Sequence, residues 1–166
     1  RRELLGTALA GAGFWFLGSR TRAATPSAGL VAGLEKSPLV YISPLKKDGA
    51  ESRCHGEIWF AWDRESVVVV TSKESWKARA LARGLDRARI WVADFGRIRW
   101  DAAGKLAGSP NFTARARIDA DAASFQSILP IYAHKYPDEW ASKWEARFKQ
   151  GMADGSRVLI RYTPDA

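Results

Sequence analysis

From residue 39 onward, apolar and polar residues alternate over short stretches, and that two-residue period predicts β-strands. One strand is expected over 39–45, followed by Lys46-Lys47-Asp48-Gly49, where Asp-Gly between apolar runs signals a hairpin. The returning strand, 52–62, places Glu57, Trp59 and Ala61 on one face and Ile58, Phe60 and Trp62 on the other. Asp63-Arg64-Glu65 then turns the chain into Val67-Val68-Val69-Val70. A run that is β-branched at every position has no polar face, so this strand is expected to be covered on both sides. Further strands are expected over 88–95, 112–120 and 157–163, with 97–100 extending the sheet to a turn at 101–104.

Helical signals interrupt this pattern in three places. A short helix is expected over 73–83, stopped by Gly84. Asp121 or Ser124 can cap a helix running to about Tyr136, and Pro137 opens another at the position where proline is tolerated. In that last helix Trp140, Trp144 and Phe148 recur every four residues as one apolar stripe. Six or seven strands joined mainly by hairpins imply an antiparallel sheet, and that many in one small domain favour a closed or partly closed barrel. The pattern therefore reads as α+β, an antiparallel six- to seven-stranded barrel with flanking helices.

The N-terminus differs. Arg1-Arg2-Glu3 precedes an uncharged run from Leu4 to Leu17 (LLGTALAGAGFWFL), which ends at Gly18-Ser19-Arg20. With no charge on any face, it does not read as an ordinary amphipathic helix. Paired arginines ahead of a short apolar core have the layout of a bacterial export signal and resemble the one read by the twin-arginine route, which carries folded proteins. The run suits a signal core of about 15 residues better than a membrane span of about 20. Thr21-Arg22-Ala23 is the nearest cleavage-like sequence, and Phe14, Trp15 and Phe16 suit a membrane interface, so a removed signal and a retained anchor both stay open. The expected organisation is a signal or anchor over 1–22, a small-residue and proline linker over 23–36, and one domain over 37–166. The expected location is the periplasm or the periplasmic face of the inner membrane.

Composition narrows the function. In 166 residues, 46% hydrophobic and 27% charged content is that of a globular domain rather than a disordered chain. Of the net charge of +8, the leader supplies three, and the rest is scattered: Arg79, Arg83, Arg87 and Arg89 are interrupted by Asp86, while Arg115 and Arg117 meet Asp119 and Asp121. No dense basic block appears, so nucleic acid is not an expected partner. Cys54 is the single cysteine, which rules out an internal disulfide. Its neighbour His55 faces the other way along a strand, so the two cannot form a dyad. No grouping has metal-ligand spacing, and neither a nucleophile elbow nor a dinucleotide fingerprint is present. No catalytic residue is assigned and no metal is expected.

The chemistry concentrates in 67–81 (VVVVTSKESWKARAL). A buried strand delivers Thr71 and Ser72 to a helix start, with Ser75 in the first turn and Lys77 just behind. Unpaired backbone N–H groups there receive an anion, the hydroxyls of Thr71 and Ser75 can donate to phosphate oxygens, and Lys77 supplies charge. The alternative is a helix capped by Ser72 with Lys77 solvated.

The order of hairpin, all-valine strand and Thr71-Ser72-Lys73-Glu74-Ser75-Trp76-Lys77 resembles the pyridoxamine 5′-phosphate oxidase-like, FMN-binding split-barrel family, over about 37–163. The resemblance implies a split β-barrel that holds a flavin phosphate with Thr71, Ser72, Ser75 and Lys77, and that reaches phosphate or flavin edge with His55. It further implies FMN as cofactor and a homodimer with flavin between two barrels. Three departures stand out. Trp76 occupies a position where a basic residue is common, Phe60 one where the oxidase has a lysine, and 157–166 lacks the oxidase's substrate signature. Two functions are therefore expected in competition: an exported FMN-binding redox protein or oxidoreductase, or a flavin-free accessory subunit of a membrane complex anchored through Leu4 to Leu17. Trp59, Trp62, Trp91 and Trp100 are expected to fill barrel and interface, and His134 to lie at the surface.

Overall fold

In the computed structural model, which describes residues 26–98 and 102–165, Val67 to Val70 are all buried. Val67 and Val69 turn into one apolar cluster and Val68 and Val70 into another, as a strand with no polar face requires. Full burial of a valine side chain contributes on the order of 1.5–3 kcal/mol, so this strand anchors two cores at once.

The elements follow in the order α1 (Ala28–Lys36), β1 (Val40–Pro44), β2 (Gly56–Ile58), β3 (Ala61–Asp63), β4 (Ser66–Ser72), α2 (Trp76–Ala82) and β5 (Arg87–Val92). Then come α3 (Ala102–Leu106), β6 (Asn111–Ile118), α4 (Ala122–Lys135), α5 (Pro137–Glu139), a π-helical turn (Trp140–Trp144), α6 (Glu145–Ala153) and β7 (Arg157–Pro164). All seven strands form one antiparallel sheet in the order β2-β1-β5-β6-β7-β4-β3. Its two outermost members, β2 and β3, are consecutive pieces of one ribbon, so the sheet curls until its edges meet at Trp59 and Phe60. Ile42, Val69, Ile90 and Ile160 fill the inside, with Ala78 of α2 and Leu34 of α1 packed against them. Outside, α4 and α6 cover Val68, Val70 and Leu159 through Ile128, Tyr132 and Phe148.

The strand expected over 52–62 is interrupted, and the reason is pairing. Glu57 lies opposite Tyr41 of β1, whereas Ala61 lies opposite Val68 of β4, so the ribbon changes partners between them. Backbone groups at the change need other partners, and α4 supplies them. The Tyr136 hydroxyl accepts from the Phe60 N–H at 3.0 Å and is placed to donate to Pro38 O at 2.9 Å or Phe60 O at 3.1 Å. The Tyr132 hydroxyl lies 3.2 Å from both Trp59 O and Val68 O, spanning the two edges.

Other expectations also shift. The stretch 23–36, read as a linker, contains α1, which Ser27 caps by accepting from the Leu30 N–H at 3.3 Å. Its small residues mask an i,i+4 pair, Leu30 and Leu34, that packs on the barrel. The expected turn over 101–104 overlaps α3, whose Leu106 is buried with Tyr41, Trp91 and Ile98. Arg97 and Ile98 lie outside any strand, and 99–101, including Trp100, fall outside the described residues. The leader expected over 1–22 also lies outside the described residues. Among the described residues no helix is long and apolar enough to cross a membrane. The Trp140–Trp144–Phe148 stripe holds, with Trp140 and Phe148 buried edge-on at 5.3 Å. A π turn, marked by the Glu145 N–H bonding to Trp140 O, widens the helix beneath it.

One buried ion cluster ties the sheet together. Arg161 of β7 donates to Asp119 at 3.1 Å and to Asp63 at 3.0 Å, with all three side chains largely withdrawn from water.

Candidate functional site

The change of partner at Trp59 and Phe60 opens a site. β3 pairs with β4 only as far as Ala61–Val68, while β2 departs to join β1. Beyond Val68 the β4 edge faces β2 across a gap, and a groove of about 380 Å³ lies there, between Glu57 and Trp59 on one wall and Val70 and Thr71 on the other. Trp144 and Phe148, from the end of the π turn and from α6, form a third wall. Small-molecule sites run from about 300 Å³ upward, so the groove suits a compact ligand.

Its electrostatics are asymmetric. Arg157, opposite Ser72 at the start of β7, borders the groove with its guanidinium 5.3 Å from the Phe148 ring and 5.8 Å from the Trp144 ring. Burial, then the like charge of Arg147, push its pKa below the ordinary value against the pull of Asp154, yet an arginine stays charged. Its stem crosses Gly151 of α6 so closely that a Cβ there would stand 2.5 Å from Cδ and 2.6 Å from Cγ.

A second cation stands near the start of β2. Lys77 is only 6% exposed, and among the described residues it has neither a salt-bridge partner nor a hydrogen bond. Burial pushes its ammonium down to about 8, with the charge of Glu57 acting in the opposite direction. Nζ lies 4.2 Å from the Trp76 ring centre and 3.1 Å from where a Cβ on Gly56 would stand, a close approach that only glycine permits. A lysine so far withdrawn from water is normally paired, and Lys77 has no such partner among the described residues.

Three solved structures share this architecture. The conserved hypothetical protein Rv2991 from Mycobacterium tuberculosis superposes with a TM-score of 0.58 at 19% identity, over 87% of this chain and 84% of that one. HutZ, the heme storage protein from Vibrio cholerae, gives 0.57 at 13% identity, over 83% and 89%. A Listeria innocua protein provisionally assigned as a pyridoxamine 5′-phosphate oxidase gives 0.53 at 15% identity, over 83% and 92%. The fold is a split barrel of the pyridoxamine 5′-phosphate oxidase type. At these identities the likeness establishes the split barrel and nothing finer. Neither a protein-family model nor a curated protein matches the sequence.

The split barrel gathers the expected site residues unequally. Thr71 lines the groove, whereas Lys77 is not among its lining residues and its ammonium lies against Trp76 and Gly56. Ser75 caps α2 by accepting from the Ala78 N–H at 3.3 Å, a role that leaves its own proton free to donate. Ser72, expected either to cap the helix or to contact phosphate, is exposed and instead accepts from the Glu74 N–H at 3.2 Å in the turn before it. His55 does not join Lys77. Its ring packs 5.3 Å from Trp91 with Nε2 3.6 Å from Glu51, while Gly56 next to it faces Trp76 and Lys77. Successive residues of extended backbone face opposite ways, and the sheet now separates them. Cys54 is exposed. Among the described residues no His, Cys, Asp and Glu grouping could hold a metal.

Sequence reasoning missed Arg157, Glu57 and the third wall of the groove. The Trp140–Phe148 stripe and the Gly151–Arg157 spacing are visible in the sequence, but neither reveals that the helix ends beside the split.

Proposed function

We propose that this split barrel binds FMN and works as an exported redox protein or flavin-dependent oxidoreductase, assembled as a homodimer. The observation that carries the reading is Lys77, a residue only 6% exposed with no salt bridge or hydrogen bond among the described residues, two positions after Ser75, the cap of α2, on the helix that follows the strand carrying Thr71. Lys77 would hold the phosphate with help from Thr71 and Ser75; α2, at seven residues, adds little as a dipole. FMN, when bound, supplies hydride or single-electron transfer, and the protein fixes and tunes it. Flavin is favoured over haem because neither histidine of the chain reaches the groove: His55 packs on Trp91, and His134 is exposed on α4. Pyridoxamine phosphate oxidation itself is not proposed, since Phe60 lies fully buried where the resemblance expects a lysine.

Purified from its own host and denatured, the protein should release about one FMN per chain and show a flavin spectrum. Lys77→Met should lose the flavin. A colourless protein that also ignores added FMN ends this reading.

A second reading has its own observation. The Trp76 ring stands where a Cβ on Gly56 would be 2.9 Å away, and Glu57 adds a negative charge near Lys77. Both oppose a dianion and favour a flavin-free subunit of a membrane complex. The N-terminal arginine pair supports export in either case. Arg1→Lys with Arg2→Lys should hold the protein in the cytoplasm, and N-terminal sequencing of the mature form reports whether the leader is retained.

A further inference from the structure

The groove beside Arg157 has features that the phosphate corner does not explain. Its walls are mainly aromatic and aliphatic, which suits a flat apolar body. Three cations, Lys143, Arg147 and Arg157, lie 5.8, 5.4 and 5.8 Å from the Trp144 ring, on a stretch that also carries the acids Glu145 and Asp154. Of these only Arg157 lines the groove itself, and among the described residues its guanidinium has no carboxylate within salt-bridge distance. Asp154, the acid that it senses, is engaged by the Ser156 N–H at 2.9 Å and the Gln150 amide at 3.3 Å.

We propose that this groove binds a small planar aromatic carboxylate through the Arg157 fork, with the ring held against Trp144 and Phe148. A guanidinium matches a carboxylate in a two-pronged, charge-assisted pair. A phosphate dianion fits worse: Arg157 supplies one positive charge, and Glu57 on the facing wall repels a second negative one. Gly151 gives the arrangement its geometry, because any side chain there displaces the Arg157 stem. That this carboxylate is the substrate rests on the flavin reading; that it binds here does not.

The test is a calorimetric titration of the whole protein with 2-naphthoate and with its neutral analogue 2-naphthamide. Naphthoate should bind at one site per chain, and the amide about 10- to 100-fold more weakly, the range expected for losing hydrogen bonds to a charged group. Arg157→Met should weaken naphthoate by a similar factor, and Arg157→Lys by less. FMN content is read on the same wild-type preparation, so the two sites are scored separately. Equal affinity for naphthoate and naphthamide in the wild-type protein overturns the proposal without recourse to any variant. So does an absence of naphthoate binding up to about 10 mM, weaker than any specific site of this kind, or unchanged affinity in a folded Arg157→Met. Absence of FMN with carboxylate-selective binding intact would instead remove the flavin reading and leave this site standing.

Discussion

Replacing Tyr136 by Phe removes one oxygen from the seam where the ribbon changes partners. The ring remains, stacked on Trp59 at 4.3 Å and 5° from parallel, so apolar packing is conserved. Two interactions go: acceptance from the Phe60 N–H at 3.0 Å, and donation to Pro38 O or Phe60 O. Phe60 is fully buried, so its N–H has no water to turn to. An unsatisfied buried donor costs about 1–3 kcal/mol, and the lost donation about 0.5–1.5 more, for an expected loss of about 2–4 kcal/mol. Urea unfolding, with a slope of about 1–3 kcal/mol per molar, should report a midpoint lower by on the order of 1–2 M at unchanged slope. Tyr132→Phe is the internal comparison. It removes a donor shared between two carbonyls and an oxygen that the Val70 N–H approaches, so about 1–3 kcal/mol is expected. Tyr136→Phe within about 0.5 kcal/mol of wild type would show that the seam is not held by its hydroxyl.

Other outcomes follow from single sites. Gly56→Ala forces a Cβ to within 2.9 Å of the Trp76 ring and 3.1 Å of Lys77 Nζ, so it should lower stability by about 1–3 kcal/mol in thermal melts and impair FMN binding. Lys77 releases its proton at about 8 when folded, against an ordinary 10.5, so between those values only the unfolded chain keeps the proton. Stability of the ligand-free protein should therefore rise with pH across that window, while binding of a phosphate anion falls above pH 8; a pH-independent affinity from pH 7 to about 10 would exclude Lys77 from the anion site. Burial alone would raise the Asp119 pKa, but hydrogen bonds from Arg161 and the Asp121 N–H, with the charge of Arg117, hold it below the ordinary 3.8. Its contribution should be complete above the usual carboxylate range and disappear as pH falls through the lowered value, visible as a loss of acid-stability dependence in Asp119→Asn. Asp119→Ala should cost about 3 kcal/mol or more in urea, since Arg161 keeps only Asp63 as a buried counter-charge.

Residues with a strictly local cause were legible in the chain. Val67 to Val70 announce a strand buried on both faces, because β-branched side chains at consecutive positions leave no side for water. The Lys46–Gly49 turn, the Asp121 cap that accepts from the Ala123 N–H, and Pro137 at the head of its helix all express conformational preferences of a few adjacent residues. The split barrel itself was implied by the family resemblance of the strand-then-Thr71-to-Lys77 order, not by local preference. What periodicity obscured was any element whose identity depends on a distant partner. The alternation of 52–62 is continuous, yet the ribbon breaks, because β1 claims one half and β4 the other.

The amino-acid order alone determined the strands, their antiparallel arrangement and a lysine close behind a hydroxyl-rich turn, since each follows from side-chain shape within a few residues. Only tertiary structure decided that Lys77 is buried while His55, expected beside it, turns to Trp91 on the other side of the sheet. It likewise decided that Arg157, Glu57 and Trp144, far apart in the chain, line one cavity. The physical reason is that a sheet curled onto itself places residues by register and by the packing of helices across its faces. Those are quantities of the whole barrel, and no short window of sequence contains them.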